Sequence, residues 1–193
     1  KIDHIQGTGV LAGPRMVEVT DEKGTKSSYQ AEHIIVATGG RSRELPGMPI
    51  DGKKIIGYRE AMVLEQQPKH MVIVGSGAIG SEFEYFYNAI GTEVVLVEYM
   101  DHIVPVEDVE VSKQLERSFK KSGIEVKTKS EVTEVNTKGR KCKVKIKTAK
   151  GEEVVETDVV LSAVGVAGNI ENIGLESRGI NMEKGRIAVD EYY

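Results

Sequence analysis

The sequence MVIVGSGAIGSE occupies residues 71–82 and contains a short apolar run, a glycine-rich turn and the start of an amphipathic segment. In a turn of this pattern, Gly75 permits the tight bend, Gly77 lets the backbone approach phosphates, and Gly80 lets a helix pack closely on a strand. The phosphates of a dinucleotide would bind the free N–H groups at the positive end of the helix dipole. Because glycines also form ordinary turns, the flanking sequence has to support this interpretation.

The segment after the glycines has the apolar spacing of an amphipathic helix. Its apolar side chains recur three and four residues apart, at Ile79, Phe83, Phe86, Tyr87 and Ile90. Gly91 follows them and is typical of the residue that ends a helix. Together with the apolar run before the glycines, this spacing predicts a strand, a turn and a helix in succession, which is the order of a dinucleotide-binding unit.

The next segment, residues 92–97, is apolar and predicts a buried strand that ends at Glu98. An acid at the tip of the second strand, about 20 residues beyond the glycines, accepts hydrogen bonds from a ribose diol. A 2′-phosphate there would face a carboxylate, and Tyr99 and Met100 offer no cation to offset the repulsion. The sequence therefore predicts NAD rather than NADP, although without the glycines Glu98 would be interpreted as a solvated acid.

The composition is that of an ordinary soluble globular protein, with 193 residues, 39% hydrophobic residues, 29% charged residues and a net charge of −4. This length has room for one domain and a fragment of another. The mild acidic balance argues against binding nucleic acid or an anionic membrane surface. No apolar run approaches the roughly 20 residues of a membrane helix. Because the chain begins at Lys1 without a signal peptide, we expect a piece of a longer protein.

The single cysteine, Cys142, excludes an internal disulfide and a cysteine-pair redox centre within this chain. It lies in the alternating segment KCKVKI at residues 141–146, so we expect a half-buried strand cysteine rather than a nucleophile. Histidine occurs at His4, His33, His70 and His102. None has a cysteine partner or metal-ligand spacing, so we predict surface or capping histidines, with no catalytic residue and no metal site in this chain.

The first 36 residues contain short strand-like runs separated by turns, which predict a small antiparallel meander. The predicted strands cover residues 2–10, 16–20 and 29–37, with a turn at residues 21–24. This part is too short to be an independent domain. Glycines and prolines at residues 39–49 then indicate a crossover linker.

The remaining patterns surround the glycine-rich unit with further strands and helices. They predict a short helical turn at residues 57–65, a helix at 107–122, a third parallel strand at 124–127, a β-meander at 130–156 and a final strand at 158–164. The last strand is expected to return to the parallel sheet. The chain is therefore predicted to have an α/β fold.

Several motifs now combine in one order along the chain. They are Ala37-Thr38-Gly39 at a predicted strand end, the Pro46-Gly47 linker, the glycine motif, Glu98, and Ala163-Val164-Gly165. With these motifs the chain resembles the pyridine nucleotide–disulfide oxidoreductase family, and within it the dihydrolipoamide dehydrogenases. The segments at residues 88–94 and 185–193 strengthen the narrower resemblance.

The resemblance implies a Rossmann-like NAD-binding domain, with a parallel sheet and a β-meander, flanked by pieces of an FAD-binding domain. Residues 1–45 would be the C-terminal part of the first FAD-domain segment. Residues 46–166 would be the NAD-binding domain, and residues 167–193 would start the return segment to the FAD domain. The full-length protein would be a cytoplasmic homodimer.

The resemblance also implies an activity for that full-length protein. Such enzymes pass electrons from dihydrolipoyl groups, carried by acyltransferase subunits of 2-oxoacid dehydrogenase complexes, through a redox disulfide and FAD to NAD. The family's disulfide and its His–Glu acid–base pair belong to segments that are not represented here. We therefore expect this chain to bind NAD weakly and to show no dehydrogenase turnover.

Site residues follow from the resemblance in three groups. The flavin nucleotide would lie near Gly9, Thr38, Gly39 and Gly40. The pyrophosphate and nicotinamide would lie near Gly75, Ser76, Gly77, Ala78, Ile79, Gly80 and Glu82. The adenosine ribose would bind Glu98, the adenine would lie against Val132, and the nicotinamide side would meet Gly165.

Glu82 has two interpretations. An acid in the first turn of a helix is stabilised by the helix dipole, which would explain its presence without any ligand. The resemblance implies instead that Glu82 lies near the nicotinamide carboxamide and pairs with a lysine beside the flavin. That lysine would lie upstream of Lys1.

The chain also departs from the family pattern. The family's Ser-x-Pro after Ala-Thr-Gly is replaced by Gly40-Arg41-Ser42, and its Gly-Arg-x-Pro-Asn becomes GVAGN at residues 165–169. Residues 165–169 form a second linker, and the loss of that arginine and proline leaves its rigidity open. The predicted NAD-binding turn at residues 75–80 is not affected. Three alternatives remain: a related flavoenzyme such as mercuric or glutathione reductase, a methyltransferase that uses S-adenosylmethionine, and a stand-alone NAD-binding module without catalysis.

Overall fold

The computed structural model describes residues 1–192 and divides into two compact units, residues 42–166 in one and residues 1–41 with 167 onward in the other. Within the described range the strands are β1 (Thr8–Gly13), β2 (Met16–Thr20), β3 (Lys26–Gln30), β4 (Gly40–Ser42), β5 (Ile55–Ile56), β6 (His70–Val74), β7 (Glu93–Val97), β8 (Glu125–Lys127), β9 (Glu131–Asn136), β10 (Cys142–Thr148), β11 (Gly151–Thr157), β12 (Val159–Ser162), β13 (Val166–Gly168), β14 (Met182–Glu183) and β15 (Arg186–Ile187). The helices are α1 (Tyr58–Ala61), α2 (Ala78–Ala89) and α3 (Val109–Lys121), with a 3-10 helix at Glu176–Arg178.

The unit of residues 42–166 is built on a parallel sheet with the strand order β5-β12-β6-β7-β8. Alternate residues of β6 face two different layers. Met71 and Ile73 join a core with the helices, whereas Val72 and Val74 join a second core with the β9–β11 strands. Burial on both faces explains why this strand is a continuous apolar run rather than an alternating one. The predicted α/β fold with a parallel sheet is confirmed.

Local signals set the ends of the two longer helices. Helix α2 follows the N-cap Gly77 and ends before Gly91, which adopts a φ of +99°. Helix α3 begins after Asp108, whose side chain accepts a hydrogen bond of 2.7 Å from the backbone N–H of Glu110. Gly123 follows α3 with a φ of +85°. Both predicted helices and their glycine ends are confirmed.

The predicted β-meander is confirmed as the antiparallel sheet β11-β10-β9. In β10 the side chains of Cys142, Val144 and Ile146 are fully buried, and the lysines between them point to the exposed face. One of these, Lys145, forms an ion pair of 2.9 Å with Glu134 on the neighbouring strand. Cys142 was expected to be half-buried, and the structure corrects this because its face of β10 packs against the parallel sheet.

The other unit contains the predicted antiparallel meander, with strand order β1-β2-β3. Two predicted boundaries are wrong. The first strand begins at Thr8 rather than residue 2, and the third covers Lys26–Gln30 rather than residues 29–37. Because β2 begins at Met16, opposite Gln30, the ladder has no partner for the residues that follow. The segment ending in Ala37-Thr38-Gly39 is therefore not a strand within the described residues.

The orientation of α2 also corrects the predicted apolar stripe. Phe86 and Ile90 are 52% and 45% exposed, whereas Glu84, which lies outside the stripe, is fully buried. The cause is Gly80, because a Cβ there would overlap the carbonyl oxygen of Gly75. The helix therefore presses its Gly80 face on the turn, and Glu84 lies one helical turn further along that face.

Candidate functional site

A cavity of about 790 Å³ opens where β6, β7 and β12 end at their carboxyl side. This edge of an open parallel sheet is where α/β proteins bind ligands. Eight predicted site residues line the cavity: Gly75, Ser76, Gly77, Ala78, Ile79, Glu98, Val132 and Gly165. The glycine turn, the acid at the end of β7 and the predicted adenine and nicotinamide contacts therefore share one cavity.

Two glycines of the turn are required by the protein's own packing. Gly75 has a φ of +97°, and a Cβ on it would lie 2.6 Å from the carbonyl oxygen of Ala163. A Cβ on Gly80 would overlap the carbonyl oxygen of Gly75. Neither position therefore tolerates a side chain, and the strand, the turn and the helix pack in direct contact.

Gly77 differs from the other two, because a Cβ at this position would meet no protein atom within 4 Å. Gly77 is the N-cap of α2, lines the cavity, and leaves the helix without a side-chain cap. The N–H groups at an uncapped helix N-terminus are a binding site for anions. The missing side chain thus leaves open space beside those groups, which fits a phosphate.

Glu98 lies at the tip of β7 with only 6% of its surface exposed. Its Oε2 accepts hydrogen bonds from the backbone N–H of Ser76 at 2.8 Å and from Ser76 Oγ at 2.6 Å. Its Oε1 accepts one from the backbone N–H of Met100 at 2.7 Å. The carboxyl group is therefore joined directly to the glycine turn and borders the cavity.

Other cavity residues were not predicted to contact the ligand. They include Leu45, Pro46, Pro105, Ser130, Glu131, Thr133, Ala163 and Val164. Pro46 was interpreted only as part of a linker, and Ser130, Glu131 and Thr133 only as part of an alternating segment. Nothing in their local pattern indicates a ligand, because the fold brings β9 and the linker to the cavity from distant parts of the chain.

Two predicted site residues, Gly80 and Glu82, do not line the cavity. Gly80 acts in packing. Glu82 is the fifth residue of α2, is exposed, and lies beyond the first turn, which contains no acid. The interpretation of Glu82 as a first-turn acid is therefore wrong, because α2 begins at Ala78 rather than further along the chain.

The four residues predicted to lie near a flavin belong to the other unit. Gly9 is in β1, paired with Val19, and Gly40 is the first residue of β4. The carbonyl oxygen of Thr38 accepts a hydrogen bond of 3.1 Å from Asn169 Nδ2. The carbonyl oxygen of Gly39 accepts one of 3.0 Å from the backbone N–H of Asn169. Asn169 therefore fixes the backbone at two of these positions.

Arg41 supports the second linker, whose rigidity the sequence left open. Its guanidinium donates to the carbonyl oxygen of Gly168 and to Asn169 Oδ1, both at 3.0 Å. It also donates to both carboxylate oxygens of Glu171, at 3.1 and 2.6 Å. This hydrogen bonding lowers the pKa of Glu171 to about 2. Arg41, from the linker at residues 39–49, thus binds three residues that follow position 166, where the family's arginine is replaced by valine.

Glu84 and Cys142 are among the buried titratable groups that lie outside the cavity lining. Glu84 is fully buried in α2, and neither of its carboxyl oxygens has a hydrogen-bond partner among the described residues. Burial raises the pKa of Glu84 to about 8. Burial also raises the pKa of the Cys142 thiol, which agrees with a packing role rather than a nucleophile. The sequence did not single out Glu84, because its position depends on the rotation of α2.

Residues 1–192 also lack two kinds of feature. No three His, Cys, Asp or Glu side chains in that range come together in a way that could hold a metal ion. None of the helices there has both the length and the apolar character that crossing a membrane requires.

The chain is similar to curated proteins along nearly all of its length. It is 42% identical over 193 residues to dihydrolipoyl dehydrogenase of Chlorobaculum parvum, covering 99% of this chain and 41% of that protein. It is 39% identical over 193 residues to dihydrolipoyl dehydrogenase of Zymomonas mobilis, covering 100% of this chain and 41% of the relative. The chain thus spans about two fifths of the length of these relatives.

The structure is similar to that of LpdA from Mycobacterium tuberculosis, with a TM-score of 0.83 at 31% identity. This similarity covers 94% of the present chain and 40% of LpdA. Residues 2–193 match the model of the family described as pyridine nucleotide-disulphide oxidoreductase. Because that match includes nearly every residue, the chain belongs to the pyridine nucleotide-disulphide oxidoreductase family.

Proposed function

We propose that the cavity binds NAD, with the pyrophosphate on the N-terminus of α2 and the adenosine ribose at Glu98. Gly75, Ser76, Gly77, Ala78 and Ile79 would hold the pyrophosphate end. Val132 would lie against the adenine, and Gly165 would line the nicotinamide side. Glu82 would approach the nicotinamide carboxamide from its exposed position on α2.

The observation that carries this proposal is the open space at Gly77. The other two glycines of the motif are required by packing, whereas Gly77 is constrained by no protein atom. Its place at the uncapped N-terminus of α2, in the same cavity as Glu98, fits a ligand with a phosphate at one end and a hydroxyl donor at the other. An adenine dinucleotide has both groups.

The charges around the cavity support NAD over NADP. The described residues that line it include the acids Glu98 and Glu131 and no lysine or arginine. A pyrophosphate can bind backbone N–H groups and the helix dipole. A 2′-phosphate beside Glu98 would add like-charge repulsion without a cation to offset it.

For the whole protein we propose the activity of a dihydrolipoamide dehydrogenase. It would oxidise dihydrolipoyl groups on acyltransferase subunits of 2-oxoacid dehydrogenase complexes, as a cytoplasmic homodimer that uses FAD and NAD. Flavin and nicotinamide supply the hydride chemistry when bound, and the protein orients them. The identity to two dihydrolipoyl dehydrogenases, at 42% and 39%, supports this proposal.

Within that protein, residues 46–166 would form the NAD-binding domain. Residues 1–45 and 167–193 would belong to the FAD-binding domain, with Gly9, Thr38, Gly39 and Gly40 near the flavin nucleotide. The division of the chain at residues 42 and 166 supports this assignment. We expect this chain alone to bind NADH weakly and not to oxidise dihydrolipoamide.

Calorimetric titration with NADH and NADPH tests the ligand. We expect the unmodified chain to bind NADH more tightly than NADPH, and Glu98→Arg to reverse that order. Glu93→Arg is a matched control, because it changes the same charge on the same strand at the end remote from the cavity. The proposal fails if the unmodified chain binds neither nucleotide. The ribose assignment fails if Glu98→Arg behaves like the control.

A further inference from the structure

Ser76 lies between Gly75 and Gly77, in the turn that borders the cavity, but it is completely buried. Both of its donors point to the same acceptor. Its backbone N–H and its hydroxyl bind Glu98 Oε2, at 2.8 and 2.6 Å. Two donors from one residue on one carboxyl oxygen fix both the position and the rotation of that group.

Ser76 is itself held from two other elements. Its carbonyl oxygen accepts hydrogen bonds from the backbone N–H of Val104 at 3.0 Å and from Ser81 Oγ at 3.1 Å. Val104 makes its contact with a φ of +42°, which is unusual for a β-branched residue. Such backbone strain persists only where the surroundings impose it. The turn, α2 and the loop before α3 therefore combine to hold Ser76 in place.

The hydrogen bonds leave Glu98 with little free acceptor capacity. A carboxylate can accept about four hydrogen bonds, about two on each oxygen. Both positions on Oε2 are used by Ser76, and Met100 uses one on Oε1. One acceptor position therefore remains, and it is on Oε1.

We propose that Ser76 is a positioning residue that turns Glu98 so that its one free acceptor binds a single hydroxyl of the adenosine ribose. This inference rests on the proposed NAD site and makes it more specific. The Ser76 hydroxyl occupies the oxygen that would otherwise accept from the second ribose hydroxyl. Selectivity then depends on the pair of residues rather than on Glu98 alone.

The test compares ADP with its 2′-deoxy and 3′-deoxy analogues by calorimetric titration. In the unmodified chain, we expect only one of the two analogues to bind more weakly than ADP, by about tenfold for one lost hydrogen bond to a charged group. In Ser76→Ala, we expect the difference between the two analogues to disappear and the preference for NADH over NADPH to shrink. A residue with a purely structural role would not change these ratios.

Thr92→Val is the matched control, because Thr92 is also buried and loses only its hydroxyl, which donates to the carbonyl oxygen of Pro68, away from the cavity lining. We expect its ligand ratios to equal those of the unmodified chain. If Ser76→Ala fails to fold, as judged by circular dichroism, Ser76→Gly replaces it, and the deoxy series on the unmodified chain remains decisive.

Equal losses for both deoxy analogues, or unchanged ratios in Ser76→Ala, would overturn the inference while leaving the NAD site intact. If neither deoxy analogue binds more weakly than ADP, Glu98 does not bind the ribose, and the inference is overturned as well. Failure of the unmodified chain to bind either ADP or NADH would overturn the proposed function itself.

Discussion

Glu98 and Glu84 are both buried acids of the same unit, with 6% and 0% of their surfaces exposed, but their surroundings are opposite. Glu98 accepts three hydrogen bonds from Ser76 and Met100. Glu84 has no partner among the described residues, and burial raises its pKa to about 8. The comparison shows two ways of keeping an acid inside a protein: donors can satisfy it, or a bound proton can neutralise it.

The largest expected effect is a loss of stability with rising pH that comes from Glu84. Its pKa is 4.5 when unfolded and about 8 when folded, so between these values the folded chain holds a proton that the unfolded chain has released. Stability is therefore full below the lower value and falls as pH rises through the upper one, by about 5 kcal/mol in total. Urea denaturation at a series of pH values measures this slope.

Glu84→Met isolates the contribution, because it keeps the volume and removes the titrating group. We expect the variant to lose this part of the slope and to be the more stable protein at pH 8. Equal slopes for the two proteins between pH 5 and pH 8 would contradict an unpartnered acid at this position.

The same substitution at the other acid should have the opposite sign. Glu98→Met leaves the N–H groups of Ser76 and Met100 and the Ser76 hydroxyl without their acceptor, which we expect to cost about 2 to 4 kcal/mol. Denaturation at pH 7 measures this cost. Glu93→Met, at the exposed start of the same strand, serves as the control and should be close to neutral. A stabilised Glu98→Met would show that the three hydrogen bonds are not what holds Glu98.

The smallest effect is expected at Glu171, an acid with strong donors but no burial. Arg41 lowers its pKa to about 2, so the stabilisation is present above pH 4.5 and is lost as pH falls through the lower value. Because both side chains are more than half exposed, water screens the pair. Glu171→Gln should therefore change the denaturation midpoint at pH 7 less than either buried variant. Faster amide exchange in residues 167–171 would report the local loosening.

The sequence predicted the glycine motif and Glu98 better than it predicted the other residues that line the cavity. The three glycines, the strand that ends at Glu98 and the helix ends at Gly91 and Gly123 all depend on local rules, namely glycine geometry and apolar period. Pro46, Pro105 and Ser130 line the same cavity without any local signal. They meet there because the linker, the loop before α3 and the segment that leads into β9 all reach the carboxyl edge of the parallel sheet, which is a long-range event.

The apolar stripe of α2 shows why spacing alone does not determine a buried face. Five apolar residues predicted one face, but Phe86 and Ile90 are exposed and Glu84 is buried. An amphipathic pattern predicts which side of a helix is buried. Because its apolar stripe is wide, the exact rotation of the helix within that width stays open. The close contact at Gly80 determines the rotation within that width.

By itself, the sequence determined the order of strands and helices, the parallel sheet, the family resemblance and the acid and glycines that share one cavity. These depend on periodicity and on residues whose backbone geometry has few alternatives. Only the tertiary structure decided that Ser76 binds Glu98 with both donors, that Glu84 has no donor, and that Arg41 supports the second linker. Those contacts join residues that are far apart in the chain or depend on helix rotation, and no local pattern encodes either.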